Sequence, residues 1–337
     1  MKLVLLLLAL AAPASVGAQT LINGAGATFP YPLYAHWFDA YARVDSTVRF
    51  NYQPIGSGGG IRQLLAGTVD FGATDVPMTD EQLRRAPGIV HVPTVVGAVA
   101  ATYNLPGISG LRLSPEVLAE IFLGRVTRWN DARIASTNAG ARLPDRPIVV
   151  VHRSDGSGST YLWADLLARA SPQWARTVGR GLAVRWPVGL GAKGNEGVAA
   201  QVRNMPGALA YVELTYAVTS GLPVAAIRNR AGAFVMPTVD STAAAAAAIA
   251  ADGVPSDFRM SLADPPGDLA YPVAGYTWLL LPPNPRDPVK GAALVRFVKW
   301  AIHDGQRDAP ALHYAPLPAA VVRAITDRLE RPLVAER

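Results

Sequence analysis

Three glycine-containing loops that carry hydroxyl side chains constrain this chain most, because each stands directly before an amphipathic helical pattern. They are Gly-Ala-Gly-Ala-Thr-Phe-Pro at 24–30, Gly-Ser-Gly-Gly-Gly at 56–60 and Asp-Gly-Ser-Gly-Ser-Thr at 155–160. A helix start can receive an anion on its unpaired amides and partial positive charge, while glycine allows close approach and Ser and Thr add donors. One such loop is typical of an ordinary helix cap. Three in one chain predict a joint site for one oxyanion.

Short β-like runs alternate with amphipathic helical patterns along the chain, which indicates an α/β fold. The predicted strands are 48–52, 69–73, 95–103, 147–152, 208–212 and 277–281. The predicted helices are 32–44, 60–66, 115–122, 160–170, 195–204, 243–251 and 288–304.

The amino end predicts export. Lys2 precedes an apolar run from Leu3 to Ala12, and small residues follow up to Ala18. The run is about half of the ~20 residues that a membrane-spanning helix needs, so residues 1–18 are predicted to be a signal peptide cleaved near Ala18. The absence of cysteine fits a soluble periplasmic protein without disulfides. Removing 18 of the 337 residues leaves 319, more than one core usually serves, so two lobes are expected.

The net charge of +6 says little about function, because the arginines are spread along the chain instead of forming runs. A basic balance could favour nucleic acid, but neither a basic cluster nor an aromatic RNA-binding motif occurs in the sequence. No nucleic-acid partner is therefore expected.

Seven strings, in order along the chain, resemble the periplasmic phosphate-binding proteins of phosphate ABC transporters, the PstS family. They are GAGATFPYPLY from Gly24, IGSGGG from Ile55, VDFGATDVPMT from Val69, IFLGRVTRWND from Ile121, DGSGS from Asp155, VGLGAKGNEGV from Val188 and PGALAYVE from Pro206. The resemblance implies a type 2 periplasmic binding fold, with two α/β lobes, each a mixed sheet flanked by helices, and the ligand cleft between them. Lobe I is expected at 19–100 plus 275–337, and lobe II at 101–274.

The resemblance also implies which residues contact inorganic phosphate. They are Thr28, Phe29, Ser57 and Asp75 from lobe I, and Arg153, Ser157, Gly158 and Ser159 from lobe II, with Asp155 as the partner of Arg153. The family often has threonine at the position of Ser159, and Thr160 follows here, so either hydroxyl could reach the ligand. No cofactor or metal is implied. The expected partners are phosphate and the membrane permease of the transporter, and the protein is expected to be a monomer.

Asp75 needs a physical reason, because a carboxylate inside an anion site should repel the ligand. Read alone, it could be a turn residue after the strand predicted at 69–73. Phosphate at neutral pH keeps a proton that a carboxylate can accept, whereas sulfate has none and would face a like charge. Such a mismatch can reject an analogue by ~10⁴-fold. Asp75 is therefore predicted to select phosphate over sulfate.

Other interpretations have less support in the sequence. The G-x-G-x-x-G pattern at 189–194, with Glu213 downstream, could bind a dinucleotide, but Pro187 disturbs the strand that must precede it. The five histidines are scattered without metal-ligand spacing. A periplasmic phosphatase or serine hydrolase using Ser157 would need a G-x-S-x-G elbow or a linked histidine, and neither is present. A binding protein for another oxyanion such as sulfate stays open as an alternative to phosphate. The chain is expected to bind its ligand without catalysis.

Overall fold

Strands and helices alternate in the computed structural model, which describes residues 19–330. The strands are β1 (Thr20–Gly26), β2 (Val48–Pro54), β3 (Phe71–Thr74), β4 (Val90–Tyr103), β5 (Arg112–Leu113), β6 (Val149–Arg153), β7 (Leu190–Ala192), β8 (Ala208–Glu213), β9 (Ala226–Arg228), β10 (Phe234–Val235) and β11 (Ala274–Leu281). The α-helices are α1 (Tyr31–Val44), α2 (Ser57–Ala66), α3 (Asp80–Arg85), α4 (Pro115–Phe122), α5 (Ala132–Ala135), α6 (Gly158–Ala170), α7 (Pro172–Thr177), α8 (Gly194–Arg203), α9 (Leu214–Thr219), α10 (Val239–Ala250), α11 (Pro288–Ile302) and α12 (Ala319–Glu330). Two 3₁₀ turns lie at Asp304–Asp308 and Pro310–Leu312. The predicted signal peptide, 1–18, lies outside the described residues.

Eight strands form one curled mixed sheet in the order β2-β1-β3-β11-β4-β8-β6-β7. At one end of this sheet β1 is parallel to β2 and β3, and at the other end β6 is parallel to β7 and β8. The central strands β4 and β11 run antiparallel to each other and to their outer neighbours. A second sheet of three short strands has the order β10-β9-β5. The predicted α/β class is confirmed.

The long strand β4 joins the two halves of the sheet. All 14 of its residues are buried, which fits a strand covered on both faces and rich in valine and alanine. It pairs with β11 through Val90–Ala98 and then with β8 through Val99–Tyr103. The two halves are therefore continuous through one strand. The residue bounds of the two lobes stay a prediction.

Aromatic side chains fill the core in both halves. In the first half, Phe38 and Phe297 pack on Phe50 with ring centroids 4.6 and 4.5 Å away. In the second half, Trp163 of α6 stacks on Tyr211 of β8 with 5.4 Å between centroids. These contacts anchor α1, α11 and α6 to the sheet, and so help to fix the starts of α1 and α6.

Most predicted elements are found, with shifted ends. The strand predicted to begin at Val95 begins at Val90, and the helix predicted to begin at Ala243 begins at Val239 because Thr238 and Ser241 form a capping box. The helix predicted to continue to Asp304 ends at Ile302, where the backbone turns into a 3₁₀ segment. Strand β1 was not predicted, because its glycines resemble a loop. Within residues 19–330 no helix has the length and apolar character to cross a membrane.

Replacing Gly26 by alanine is expected to separate β1 from β3. Gly26 has a φ of +151°, and a Cβ atom there would lie 2.0 Å from the carbonyl oxygen of Ala73. Gly107 is a matched control, since its φ is +81° but nothing lies within 4 Å of its Cβ position. Gly107→Ala should cost about 1 kcal/mol of unfolding free energy from backbone strain, and Gly26→Ala at least about 3 kcal/mol. Urea denaturation measures both, and equal losses would contradict the close approach of the two strands.

Candidate functional site

The loops after β1, β2 and β3 lie side by side, because these strands are parallel and the last residue of β1 pairs with the ends of both neighbours. The carboxyl ends of parallel strands are where α/β proteins usually bind ligands. Four of the predicted site residues lie in these loops and are at most 3% exposed: Thr28, Phe29, Ser57 and Asp75.

Ser57 and Asp75 form a direct pair. Ser57 is the first residue of α2 and follows Gly56, whose φ of +83° favours glycine. The amide N–H of Asp75 donates to Ser57 Oγ at 3.2 Å, and the Ser57 hydroxyl donates to Asp75 Oδ2 at 3.3 Å. The other carboxyl oxygen, Oδ1, accepts a hydrogen bond of 2.9 Å from the hydroxyl of Thr277 in β11.

Burial dominates the electrostatics of Asp75. It raises the pKa of this carboxyl from 3.8 to about 7, although hydrogen bonds from Thr277 and Ser57 and the charge of Arg153 act in the opposite direction. A carboxyl group with this pKa can hold or release a proton near neutral pH. A group of this kind can serve as the hydrogen-bond acceptor for a protonated oxyanion.

Arg153 and Asp155 form a buried ion pair on the opposite wall of the site. Arg153 is the last residue of β6, and its side chain is 1% exposed. Its Nε donates to Asp155 Oδ1 at 2.7 Å and its guanidinium also pairs with Oδ2, so the contact is bidentate. Burial alone would raise the pKa of Asp155, but the hydrogen bonds and charge of Arg153 lower it. Asp155 therefore holds the guanidinium of Arg153 in place.

Helix α6 begins at this wall with the third predicted loop. Ser157 caps the helix, since its Oγ accepts the amide N–H of Thr160 at 3.2 Å. The Ser159 hydroxyl is buried and has no hydrogen-bond partner within residues 19–330. The Thr160 hydroxyl, in contrast, is hydrogen-bonded to the Tyr211 hydroxyl at 2.6 Å.

The two walls touch through glycines. The amide N–H of Gly58 donates to the carbonyl of Gly156 at 2.9 Å. A Cβ atom at Gly158 would lie 2.4 Å from Cβ of Asp75, and one at Gly56 would lie 2.3 Å from Oδ2 of Asp155. Only residues without a side chain permit this approach. The structure thus brings Ser57, Asp75, Asp155 and Gly158 together from loops that are far apart in sequence.

Phe29 contributes through its backbone. Its ring lies in the core, 6.4 Å from the ring of Tyr314, and fills the space left free by Gly97. Its carbonyl accepts the Tyr314 hydroxyl at 2.6 Å. Within residues 19–330 the amide N–H of Phe29, just before α1, has no acceptor, and its contact with phosphate stays a prediction.

Two residues of the site carry no motif of their own and were not predicted. The sequence indicated Thr277 only as the first residue of the strand predicted at 277–281, yet its hydroxyl donates to Asp75. Asn195 lies within a string that resembles the phosphate-binding family, but no role was assigned to it. Its side-chain amide donates to Oγ1 of Thr28 at 2.9 Å. The glycine-rich string around Asn195 was the only available signal.

The G-x-G-x-x-G pattern lacks the local structure of a dinucleotide site. Strand β7, Leu190–Ala192, lies inside the pattern, whereas a dinucleotide site needs the strand before it. The amide of Gly194 donates to Asp155 at 3.1 Å, and the buried Glu213 accepts the amide of Thr215 at 2.9 Å. Both groups therefore serve the protein's own hydrogen-bond network. Within residues 19–330 no group of three or more His, Cys, Asp or Glu side chains could hold a metal.

Comparisons with known proteins identify the family and the fold of the chain. The family described as a PBP superfamily domain matches residues 12–304. A phosphate-binding protein PstS of Pasteurella multocida is 44% identical over 310 residues, which covers 91% of this chain and 89% of the relative. A phosphate-binding protein PstS of Methanocaldococcus jannaschii is 38% identical over 327 residues, or 90% and 84% of the two chains. The crystal structure of a phosphate-binding protein from Stenotrophomonas maltophilia has the same fold, with a TM-score of 0.71 at 21% identity over 92% and 94% of the chains.

The buried Asp75 carboxyl should make the ligand-free protein lose stability as the pH rises. The folded state holds this proton more tightly than the unfolded state, so the penalty grows between the usual pKa of 3.8 and about 7 and is constant above that range. Asp75→Asn should remove the penalty and raise the unfolding free energy at pH 8 by at most about 4 kcal/mol, with no gain at pH 4.

Asp155→Asn is the matched control, because burial and its partners shift the pKa of Asp155 in the direction opposite to that of Asp75. The pKa of Asp155 is lowered, so this substitution should cost stability at neutral pH and cost less as the pH falls below 3.8. Thermal unfolding of both variants from about pH 2 to about pH 8 measures the two trends. A pH-independent difference between Asp75→Asn and the parent protein would contradict the raised pKa of Asp75.

Proposed function

This chain belongs to the family of PstS phosphate-binding proteins, and from that premise we propose that it binds inorganic phosphate in the periplasm and delivers it to the permease of a phosphate ABC transporter. The observation that carries the proposal is the meeting of two helix starts, a buried arginine and a proton-accepting carboxyl at one buried point. The protein is expected to act as a monomer after its signal peptide has been removed near Ala18.

The proposed contacts divide by chemistry. Hydroxyl donors to the phosphate oxygens are Thr28, Ser57, Ser157 and Ser159, amide donors are Phe29 and Gly158, and the guanidinium of Arg153 supplies the one full positive charge. Asp75 supplies the acceptor. Because Asp155 already balances the charge of Arg153, most of the attraction for the anion then comes from neutral donors and helix starts.

Asp75 is the proposed basis of selectivity. Its Oδ1 is held by the Thr277 hydroxyl, and its Oδ2 accepts the Ser57 hydroxyl in this structure. When Oδ2 accepts the phosphate proton, the single Ser57 proton would turn to a phosphate oxygen. Sulfate carries no proton at neutral pH and would leave a carboxylate facing an oxygen of like charge in a buried site. The raised pKa of Asp75 supports this role, because the site disfavours an unpartnered negative charge.

Ser159, rather than Thr160, is the proposed second-wall hydroxyl contact. The Ser159 hydroxyl is buried without a protein partner in the described part of the chain, which is costly unless a ligand accepts its hydrogen bond. The Thr160 hydroxyl is already engaged with Tyr211, and Tyr211 also accepts the amide N–H of Arg153 at 3.1 Å. Thr160 is thus suited to support Arg153.

Closure of the two lobes is the proposed binding step. Roughly ten charge-assisted hydrogen bonds at ~1.5–3 kcal/mol each would give tens of kcal/mol, whereas a micromolar ligand needs only about −8 kcal/mol. The difference offsets dehydration of the anion and ordering of the two walls. The Gly58–Gly156 hydrogen bond, which crosses between the walls, supports a state in which the ligand would be fully enclosed.

Hydrolysis of phosphoesters is the rival function, and the surroundings of Ser157 speak against it. Its hydroxyl oxygen accepts a helix amide, and no histidine is hydrogen-bonded to it in the described residues. A nucleophilic serine needs an adjacent base. The binding proposal therefore expects no steady release of phosphate from a simple phosphoester by the purified protein.

Calorimetric titration of the mature, phosphate-stripped protein tests the function. Phosphate should bind with saturable heat at micromolar or tighter affinity, arsenate should compete, and sulfate should bind at least ~10³-fold more weakly because of Asp75. Asp75→Asn should narrow the phosphate-to-sulfate ratio while circular dichroism stays unchanged. Absence of heat with phosphate would refute the function, and an unchanged ratio in the variant would refute the role of Asp75.

Two substitutions decide between the neighbouring hydroxyls. Ser159→Ala should weaken phosphate binding by about 10- to 100-fold, the worth of a hydrogen bond to a charged group. Thr160→Val keeps the volume and should weaken binding less, while lowering the melting temperature because the buried Tyr211 hydroxyl loses its partner. Calorimetry and thermal unfolding measure both effects. A larger loss of affinity in Thr160→Val would assign the contact to Thr160 instead.

A further inference from the structure

Asn195 lies opposite Thr28 in the site, and we propose that it is a positioning residue that turns the Thr28 hydroxyl into a donor toward the anion. This inference deepens the proposed function and rests on it. Asn195 has no contact with the ligand in this proposal, and acts only through the hydroxyl that it touches.

The orientation of the Asn195 amide is fixed by its two partners. Asn195 is fully buried near the start of α8. Its Oδ1 accepts the backbone N–H of Glu213 at 3.0 Å, so Oδ1 must face β8. The amide nitrogen Nδ2 must then face Thr28, where it lies 2.9 Å from Oγ1. The backbone N–H of Asn195 points to the same oxygen at 3.4 Å.

This arrangement determines what the Thr28 hydroxyl can offer. A hydroxyl has one proton and two acceptor positions, whereas an amide nitrogen of asparagine can only donate. Because Oγ1 receives N–H groups from Asn195, its own proton must point away from Asn195. Within residues 19–330 this hydroxyl has no other hydrogen-bond partner. The proton is therefore free to meet an oxyanion, which has lone pairs and needs donors.

Two other hydroxyl oxygens of the site also accept a backbone N–H. Ser57 Oγ accepts the backbone N–H of Asp75 and Ser157 Oγ accepts the backbone N–H of Thr160, each at 3.2 Å. Backbone groups cannot be removed by substitution. Thr28 is the exception among these three, because its N–H partners come from a residue 167 positions later in the chain, one of them on a side chain. Its orientation can be changed without altering Thr28 itself.

The surroundings of Asn195 are rigid enough to hold this orientation. Glu213, whose amide fixes Asn195, is buried. Its carboxyl accepts the amide of Thr215 at 2.9 Å and lies 3.2 Å from the hydroxyl oxygen of Tyr314. The hydroxyl of Tyr216 donates to the carbonyl of Thr28 at 2.6 Å. The side chain of Thr28 is thus held by Asn195, which precedes β8, and its carbonyl by Tyr216, which follows β8.

A double-mutant cycle tests the inference by calorimetry with inorganic phosphate. Thr28→Val should weaken binding by about 10- to 100-fold, since it removes a hydrogen bond to a charged ligand. Asn195→Ala should weaken binding by about 5- to 10-fold in the parent protein and by less than about twofold in the Thr28→Val background. In a Thr28→Ser background, which keeps the hydroxyl, the loss from Asn195→Ala should return. Additive losses in the Thr28→Val background would refute the inference.

Asn195→Asp separates orientation from space filling. Aspartate has nearly the same size but presents an acceptor, so the Thr28 proton would turn toward it and away from the anion. Asn195→Asp should therefore bind phosphate more weakly than Asn195→Ala, and this difference should shrink in the Thr28→Val background. Tighter binding by Asn195→Asp than by Asn195→Ala would show that volume matters, and would refute the inference.

Asn138→Ala is the matched control. Asn138 is another buried asparagine, but its side chain bonds to the carbonyls of Ile134 and Arg112. This variant should lose thermal stability and keep the phosphate affinity of the parent protein. Titration of the parent protein distinguishes failure of the proposed function from failure of the Asn195 role. If the parent protein does not bind phosphate, the proposed function fails. If it binds phosphate and the cycle is additive, only the role of Asn195 fails.

Discussion

The buried carboxyl group of Asp75 is the constraint around which the rest of the site is arranged. Burial penalises its charge, and the hydroxyls of Thr277 and Ser57 offset only part of this penalty. The charged form of Asp75 is therefore unfavourable in this site until a proton-bearing group donates a hydrogen bond to it. Placing it there needs β3 and β11 to be neighbours, since Asp75 follows one strand and Thr277 belongs to the other. The order of strands in the sheet thus determines the chemistry of the cleft.

The groups of the site that attract an anion are mostly neutral hydrogen-bond donors, and the net charge of the protein contributes little. Arg153 is the one full cation among the proposed contacts, and Asp155 already balances it. The remaining attraction for an anion comes from hydroxyls and from the amides at the starts of α2 and α6. This explains why the net charge of +6, spread over the surface, says so little about the ligand. Unlike net charge, the oriented dipoles of a buried site attract an anion only at short range and from a fixed direction.

Sequence patterns predicted most of the fold and the proposed contacts, but not their supporting partners. The glycine and hydroxyl loops stand out because their residue types are unusual at three helix starts, and the strands of the core stand out by their valine content. Strand β1 escaped prediction because glycine-rich TLINGAG resembles a loop until a parallel neighbour is known. Thr277 and Asn195 escaped because their role depends on residues more than 160 positions away. Likewise, the choice between Ser159 and Thr160 depends on Tyr211, which no local pattern connects to them.

The glycine contacts between the two walls have a consequence for ligand size. Gly58 and Gly156 meet backbone to backbone, and Gly158 faces Asp75 with no side chain between them. Side chains can change rotamer to fit a larger guest, but backbone atoms in contact cannot. Main-chain contacts at these glycines therefore limit how far the two walls can adjust. We therefore expect an oxyanion that carries a further substituent, such as a phosphate ester, to keep Gly58 and Gly156 from meeting.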